Sequence, residues 1–209
     1  MIPHQASKQN WLHIKHPDGL GVLSAISKIS KILLVLGVGL LVLYFFNNRS
    51  VIPAQVVAPE PAQPPPIQIK IPALQVDAPI VNLGLNADRT LAVPQRGEDV
   101  GWYVGSAAPG AKGPAVLVGH LDWRLKKGVF WNLNKLNPGD EIQIIREDMS
   151  VVVYRVTNKE TYSQDAFPTE KVYNKTEDRE MRLITCSGAY SLLQGRYSDN
   201  LVIYASMVN

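Results

Sequence analysis

One run divides this chain before anything else can be said about its fold. The stretch "ISKILLVLGVGLLVLYFF", residues 29–46, is apolar apart from Ser30 and Lys31. As a helix it extends roughly 27 Å at about 1.5 Å per residue, close to the thickness of a bilayer core. Lys28 and Lys31 stand at one end, where their stems can snorkel to headgroups, and Tyr44, Phe45 and Phe46 form an aromatic belt at the other. The lysines at 8, 15, 28 and 31 lie at or before the start of the run, and only Arg49 closely follows it. The positive-inside rule then makes residues 1–28 a cytoplasmic tail, 29–46 a transmembrane anchor, and everything beyond extracellular. A cleaved signal peptide is the competing reading. Against it stand the 28 residues before the run and the Pro59 that follows "VVA", a poor cleavage context. Both readings export the folded part.

The proline spacing that follows has its own consequence. Prolines 53, 59, 61, 64, 65 and 66 fall within 14 residues. Proline removes backbone donors and favours polyproline II, so residues 47–66 are expected to form a stiff extracellular linker. Charge adds an exclusion. The formal net charge is +3, and residues 1–31 hold four lysines against Asp18, which is also +3. The rest carries 17 basic and 17 acidic residues, without the excess that a nucleic-acid binder shows on its folded part.

From residue 67 to 209 the chain reads as short strands with turn punctuation. "IQIKI", "APIVNLGL", "PAVLVGH", "DEIQIIRE", "VVVYRVTNKETY", "MRLITC" and "NLVIYASMV" are the strand-like stretches. Two short helices are expected at 129–136, with Val129, Leu133 and Leu136 on one face, and at 167–173, with Pro168 just inside the start. So many short strands in about 140 residues predict a mostly β domain, a closed barrel or a sandwich.

The exported part holds one histidine, His120, and one cysteine, Cys186, each at the end of an expected strand. A lone exported cysteine is buried and inert, paired with another chain, or reactive. "TCSG" surrounds it with small and polar residues, which suits access, and a nearby histidine is the commonest means of forming or discharging a thiolate nucleophile. His120 itself reads either as a structural histidine or as that partner. Asp122, two residues on, lies on the same side of an extended chain and either orients the imidazole or caps a turn. No metal site or cofactor is expected, since His13 and His16 lack further ligands.

"VLVGHLDW", "LITCSG" at 183–188 and the closing "NLVIYA" together resemble the signatures of sortases, and the anchor and proline linker suit that family. "GVFWNLNKLNPGDEIQI", "DAFPTEKVYN" and "YSDNLVIYA" are most similar to its class F branch. The resemblance covers about residues 67–209. It implies an eight-stranded β-barrel transpeptidase on the outer face of a Gram-positive-type envelope, with Cys186 as nucleophile and His120 as general acid/base. The implied substrate is an LPxTG-like sorting signal. The implied acceptor is a peptidoglycan cross-bridge or lipid II amine, and the implied outcome is attachment of proteins to the cell wall. A thiol hydrolase on the same scaffold, and a non-catalytic exported β-domain, are the alternatives. Sortases use an arginine on or before the last strand for the oxyanion. Here Asn200 or Ser198 falls near that place, and Arg196 is four residues before Asn200. Arg196 is taken as the catalytic arginine, with Arg182 its rival. Arg182, Ile184 and Cys186 share a face at period 2, and Arg182 stands where the family carries a groove-lining threonine, so the resemblance implies Arg182 and Ile184, with Asp122 and Asn200, as substrate-binding residues. Residues 162–180 and 125–128 are expected to wall the groove.

Overall fold

The computed structural model describes residues 62–208. The expected tail and anchor, and most of the linker, lie outside them. Among the described residues no helix is long and apolar enough to cross a membrane.

The strands run in chain order as β1 (Pro66–Ile71), β2 (Val76–Leu83), β3 (Val100–Tyr103), β4 (Gly113–Gly119), β5 (Asp122–Trp123), β6 (Lys126–Lys127), β7 (Glu141–Arg146), β8 (Val151–Ser163), β9 (Arg179–Ser191) and β10 (Arg196–Met207). Eight of them close a barrel in the order β1-β2-β3-β4-β9-β10-β8-β7, and β5 with β6 forms a separate small hairpin. Of the two architectures open to the sequence, the closed barrel is the one formed. Closure leaves no barrel strand with an unpaired edge. Two joints, β2 with β3 and β4 with β9, are parallel, and the rest are antiparallel.

Alternation along the strands sorts side chains into two apolar clusters. Met181 and Leu183 of β9 join Ala115 and Leu117 of β4 and Leu201 and Ile203 of β10 inside the barrel. The alternate residues Val116, Val118, Ile184, Cys186 and Val202 face outward into a second cluster. That outer face is covered by Leu91 from the β2–β3 connection and by Val172 from a one-turn helix, α1 (Thr169–Tyr173). A barrel of this kind therefore has a second, shallower apolar seam on its outside, and the polar residues of interest sit at its end.

The two expected helices fare differently. Residues 129–136 form only a 3-10 turn at Leu133–Lys135. So short a segment takes its conformation from tertiary packing rather than from helix propensity. Leu133 and Leu136 are fully buried and Val129 packs against the same core, so the apolar face is used without the helix. Each buried leucine contributes about 1.5–3 kcal/mol. Near 167–173, α1 does form, but Pro168 is its N-cap rather than its first helical residue.

Candidate active site

β4 runs parallel to β9, and their last registered pair is Val118 opposite Ile184. Two residues further along each strand come His120 and Cys186, on the same outward side as that pair. Gly119 confirms the parity, because a Cβ there would strike the core residue Phe130 at 2.6 Å. On its other flank Cys186 is registered opposite Asn200 of β10. Histidine, cysteine and asparagine therefore lie side by side across three neighbouring strands.

His120 is fully buried. Its Nε2 lies 2.8 Å from the Pro94 carbonyl oxygen. A carbonyl only accepts, so Nε2 carries the hydrogen in the neutral ring, and Nδ1 is the nitrogen that can take up a proton. The Trp123 ring packs 4.5 Å from the imidazole, centroid to centroid. Backbone bonds from Phe130 to the His120 carbonyl (2.9 Å) and from Gly128 to the Leu121 carbonyl (2.8 Å) tie the β5–β6 hairpin back onto this corner. The approach is close enough to demand glycine, since a Cβ at Gly128 would lie 2.3 Å from the His120 oxygen. Burial moves the His120 pKa below its ordinary value, opposed by the Pro94 bond and by the negative charge of Asp122.

Cys186 is 5% exposed. Burial pushes its thiol up to about 12, the Asp122 charge adds to this, and a hydrogen bond from Gln164 works against it. Both partners are therefore held in their uncharged forms at neutral pH. Asp122 acts on more than one group here, because Tyr197, raised to about 12 chiefly by burial, also hydrogen-bonds to its carboxylate.

Gln164 is the residue that sequence reasoning did not single out. It lies in a 3-10 turn, Gln164–Ala166, directly after β8, and is 3% exposed. Its Nε2 donates to the Cys186 sulfur (3.7 Å), the Asn200 Oδ1 (3.1 Å) and the Asp199 carbonyl (3.4 Å). Its Oε1 accepts from Arg196 Nη1 at 3.2 Å. The other arm of Arg196, Nη2, is paired with Asp165 at 2.6 Å. Nothing in a lone glutamine marks it in a sequence; only its place within 162–180, the expected groove wall, points in its direction. Tyr197 and the Pro94 carbonyl were likewise unmarked, as both depend on register and loop path.

The candidate residues divide by position. Cys186, His120, Asp122, Asn200 and, through Gln164, Arg196 converge. Arg182 is elsewhere: its guanidinium pairs with Glu180 (2.9 Å), donates to the Met181 carbonyl (3.1 Å) and stacks 4.6 Å over the Tyr204 ring. It is four residues from Cys186, about 13 Å along a strand. Ile184 lies between them in the outer apolar cluster.

This arrangement meets known proteins at the level of family and fold. The Sortase domain family model matches residues 69–208. Among solved structures the chain is similar to sortase C-1 from Actinomyces oris (23% identity, TM-score 0.55, covering 69% of this chain and 75% of that one). It is also similar to the Clostridium perfringens Sortase D5 transpeptidase (22%, TM-score 0.52, 69% and 79%) and to sortase A from Corynebacterium diphtheriae (24%, TM-score 0.53, 71% and 63%). No curated protein matches the chain. These three neighbours carry the designations C, D and A, and the class F likeness rests on the sequence motifs.

Proposed function

The chain belongs to the sortase family of cysteine transpeptidases, and on that premise we propose that it cleaves an LPxTG-like sorting signal and passes the acyl group to an amine of the cell wall. The observation that carries this reading is the parallel register of β4 and β9, which, continued two residues beyond Val118 and Ile184, brings Cys186 beside His120 at the end of the outer seam.

In the proposed cycle, His120 Nδ1 takes the Cys186 proton as sulfur attacks the Thr–Gly carbonyl carbon. The C–S bond forms, the tetrahedral oxyanion collapses, and the C–N bond breaks as the imidazolium returns that proton to the leaving amine. An incoming amine attacks the thioester and loses a proton to His120, and the departing sulfur takes it back. Uncharged starting partners suit this sequence. The ion pair is created only when substrate arrives, inside a site that already excludes water and so strengthens its charge–dipole contacts.

A peptidoglycan cross-bridge or lipid II amine as acceptor, the anchor at 29–46 and the extracellular placement of the domain belong to the same proposal. They are supported by the apolar run, the lysine asymmetry and the proline-rich linker. The experiment is acceptor partition with the full-length protein in detergent. An LPxTG-type peptide is incubated with rising concentrations of an oligoglycine or diaminopimelate-type amine, and products are read by mass. Amide replacing acid as acceptor rises supports the transpeptidase. Acid alone, across all acceptors, identifies a hydrolase instead.

A further inference from the structure

The charged group expected to serve the reacting centre, Arg196, does not itself contact the sulfur in this fold; an amide stands between them. We infer that Gln164 is the hydrogen-bond donor at the Cys186 sulfur, and that Arg196 is a positioning residue that fixes which end of that amide faces the thiol.

The orientation of the amide follows from its neighbours rather than from its own geometry. At the inner end two oxygens, the Asp199 carbonyl and the Asn200 Oδ1, lie 3.4 and 3.1 Å away beside the sulfur at 3.7 Å. At the outer end stands the Arg196 guanidinium, 3.2 Å from Oε1, itself held by Asp165. Guanidinium has only donors, so the end facing it must be oxygen. Turning the amide over would set its oxygen against two other oxygens and its NH2 against a cation. The NH2 has two hydrogens, one for the oxygens and one for sulfur. With the side chain 3% exposed, no solvent competes for these positions.

The consequence for chemistry is specific. As the S–H proton leaves for His120, negative charge grows on a sulfur whose surroundings otherwise oppose it, because burial and the Asp122 carboxylate both act against the thiolate. A fixed N–H dipole aimed at sulfur favours that charge without reorganisation at the moment of reaction. Arg196 adds to it by polarising the amide from the far side, a hydrogen-bond chain in which each member strengthens the next. This assignment rests on the sortase reading for its substrate but not for its thiol chemistry, and the two can be tested apart.

Cys186 is the single cysteine of the chain, so iodoacetamide reads it alone in the full-length protein. A glutamine that merely fills space predicts faster alkylation in Gln164→Ala, because the site opens. A donor predicts slower alkylation by about tenfold at a fixed pH below the thiol midpoint, equivalent to about one pH unit. The isosteric Gln164→Glu keeps the shape and the Arg196 contact but points an oxygen at sulfur, and should be slowed at least as much. Thermal melts check that each variant folds, and if Gln164→Ala does not, Gln164→Glu decides. Arg196→Met should slow alkylation, Arg196→Lys should restore it, and Arg196→Met should cost nothing further once Gln164 is already alanine. Unchanged or faster alkylation in the folded Gln164 variants overturns the assignment. Equal cost of Arg196→Met in both backgrounds overturns the positioning role. A wild-type protein that never acylates on a sorting peptide strikes the proposed substrate alone, leaving the alkylation result to stand.

Discussion

Cys186 and His120 are each displaced toward neutrality by the same cause, burial, and the two displacements have opposite consequences for pH. An acid whose pKa is raised stays protonated to higher pH. The substrate-free thiol, pushed up to about 12, should therefore react with iodoacetamide at pH 8 about a thousandfold more slowly than an ordinary thiol of pKa about 8.5. Its rate should climb with pH through 11. A plateau by pH 9 would show that the thiolate is already formed. A base whose pKa is lowered stays neutral to lower pH. His120, lowered by burial, should thus remain a competent proton acceptor below 6.5, and the acid limb of kcat/KM should fall below that value. An acid midpoint above 7 in the pH–rate profile would contradict this. At this scale the sequence offered two residues to watch, since residues 67–209 hold one histidine and one cysteine. It held no sign of Gln164, whose role exists only because the turn after β8 folds back over Asn200.

At the scale of elements, the β5–β6 hairpin packs His120 against its corner of the barrel. Trp123 lies against the ring, and Gly128 passes too close to the His120 backbone for any side chain. Gly128→Ala must push the hairpin away from that corner. The expected result is a loss of about 1–3 kcal/mol in stability from overpacking, together with at least a tenfold fall in acylation rate from misplacing the base. Melting curves and single-turnover acylation measure the two, and a variant with wild-type values in both would remove the hairpin from the account. This element was not legible in advance. Strands of two residues carry no periodicity, and Arg124 and Leu125 at its tip adopt positive φ (47° and 64°) without the usual Asn-Gly signal. β3 was missed for a related reason. Its four residues, "VGWY", are all buried and show no alternation. By contrast β1, β7, β8 and the apolar parts of β4, β9 and β10 were readable, because alternation or an unbroken apolar run follows directly from facing a barrel interior.

For the molecule as a whole, the same burial that protects the site makes the domain sensitive to base. Cys186, Tyr154 and Tyr197 each have a pKa raised to about 12. The unfolded chain releases these protons near 8.5 for the thiol and 10 for the phenols. Each group's contribution is complete below the unfolded value and is lost as pH rises through the folded one. Cys186 has the widest of these gaps and should dominate, while Tyr154, whose hydroxyl accepts from the Gly110 amide at 2.8 Å inside the barrel, adds to it, as do Tyr173 and Tyr204, both raised chiefly by burial. Tm is expected to be level between pH 7 and 8.5 and to fall by about 5–10 °C between pH 9 and 11. Cys186→Ala should flatten that fall most and Tyr154→Phe to a lesser degree, and a Tm that holds constant to pH 11 would contradict it. What the barrel secures in return is a register: β4 beside β9 beside β10, with His120, Cys186 and Asn200 brought into one row. The central claim is that this row forms an acyl-enzyme. Its most direct measurement is the intact mass of the full-length protein quenched in acid seconds after mixing with an LPxTG-type peptide. The account predicts a wild-type adduct of the acyl fragment mass, released by hydroxylamine and absent in Cys186→Ala. A folded wild-type protein that cleaves the peptide with no such adduct, or an adduct that persists in Cys186→Ala, would contradict it.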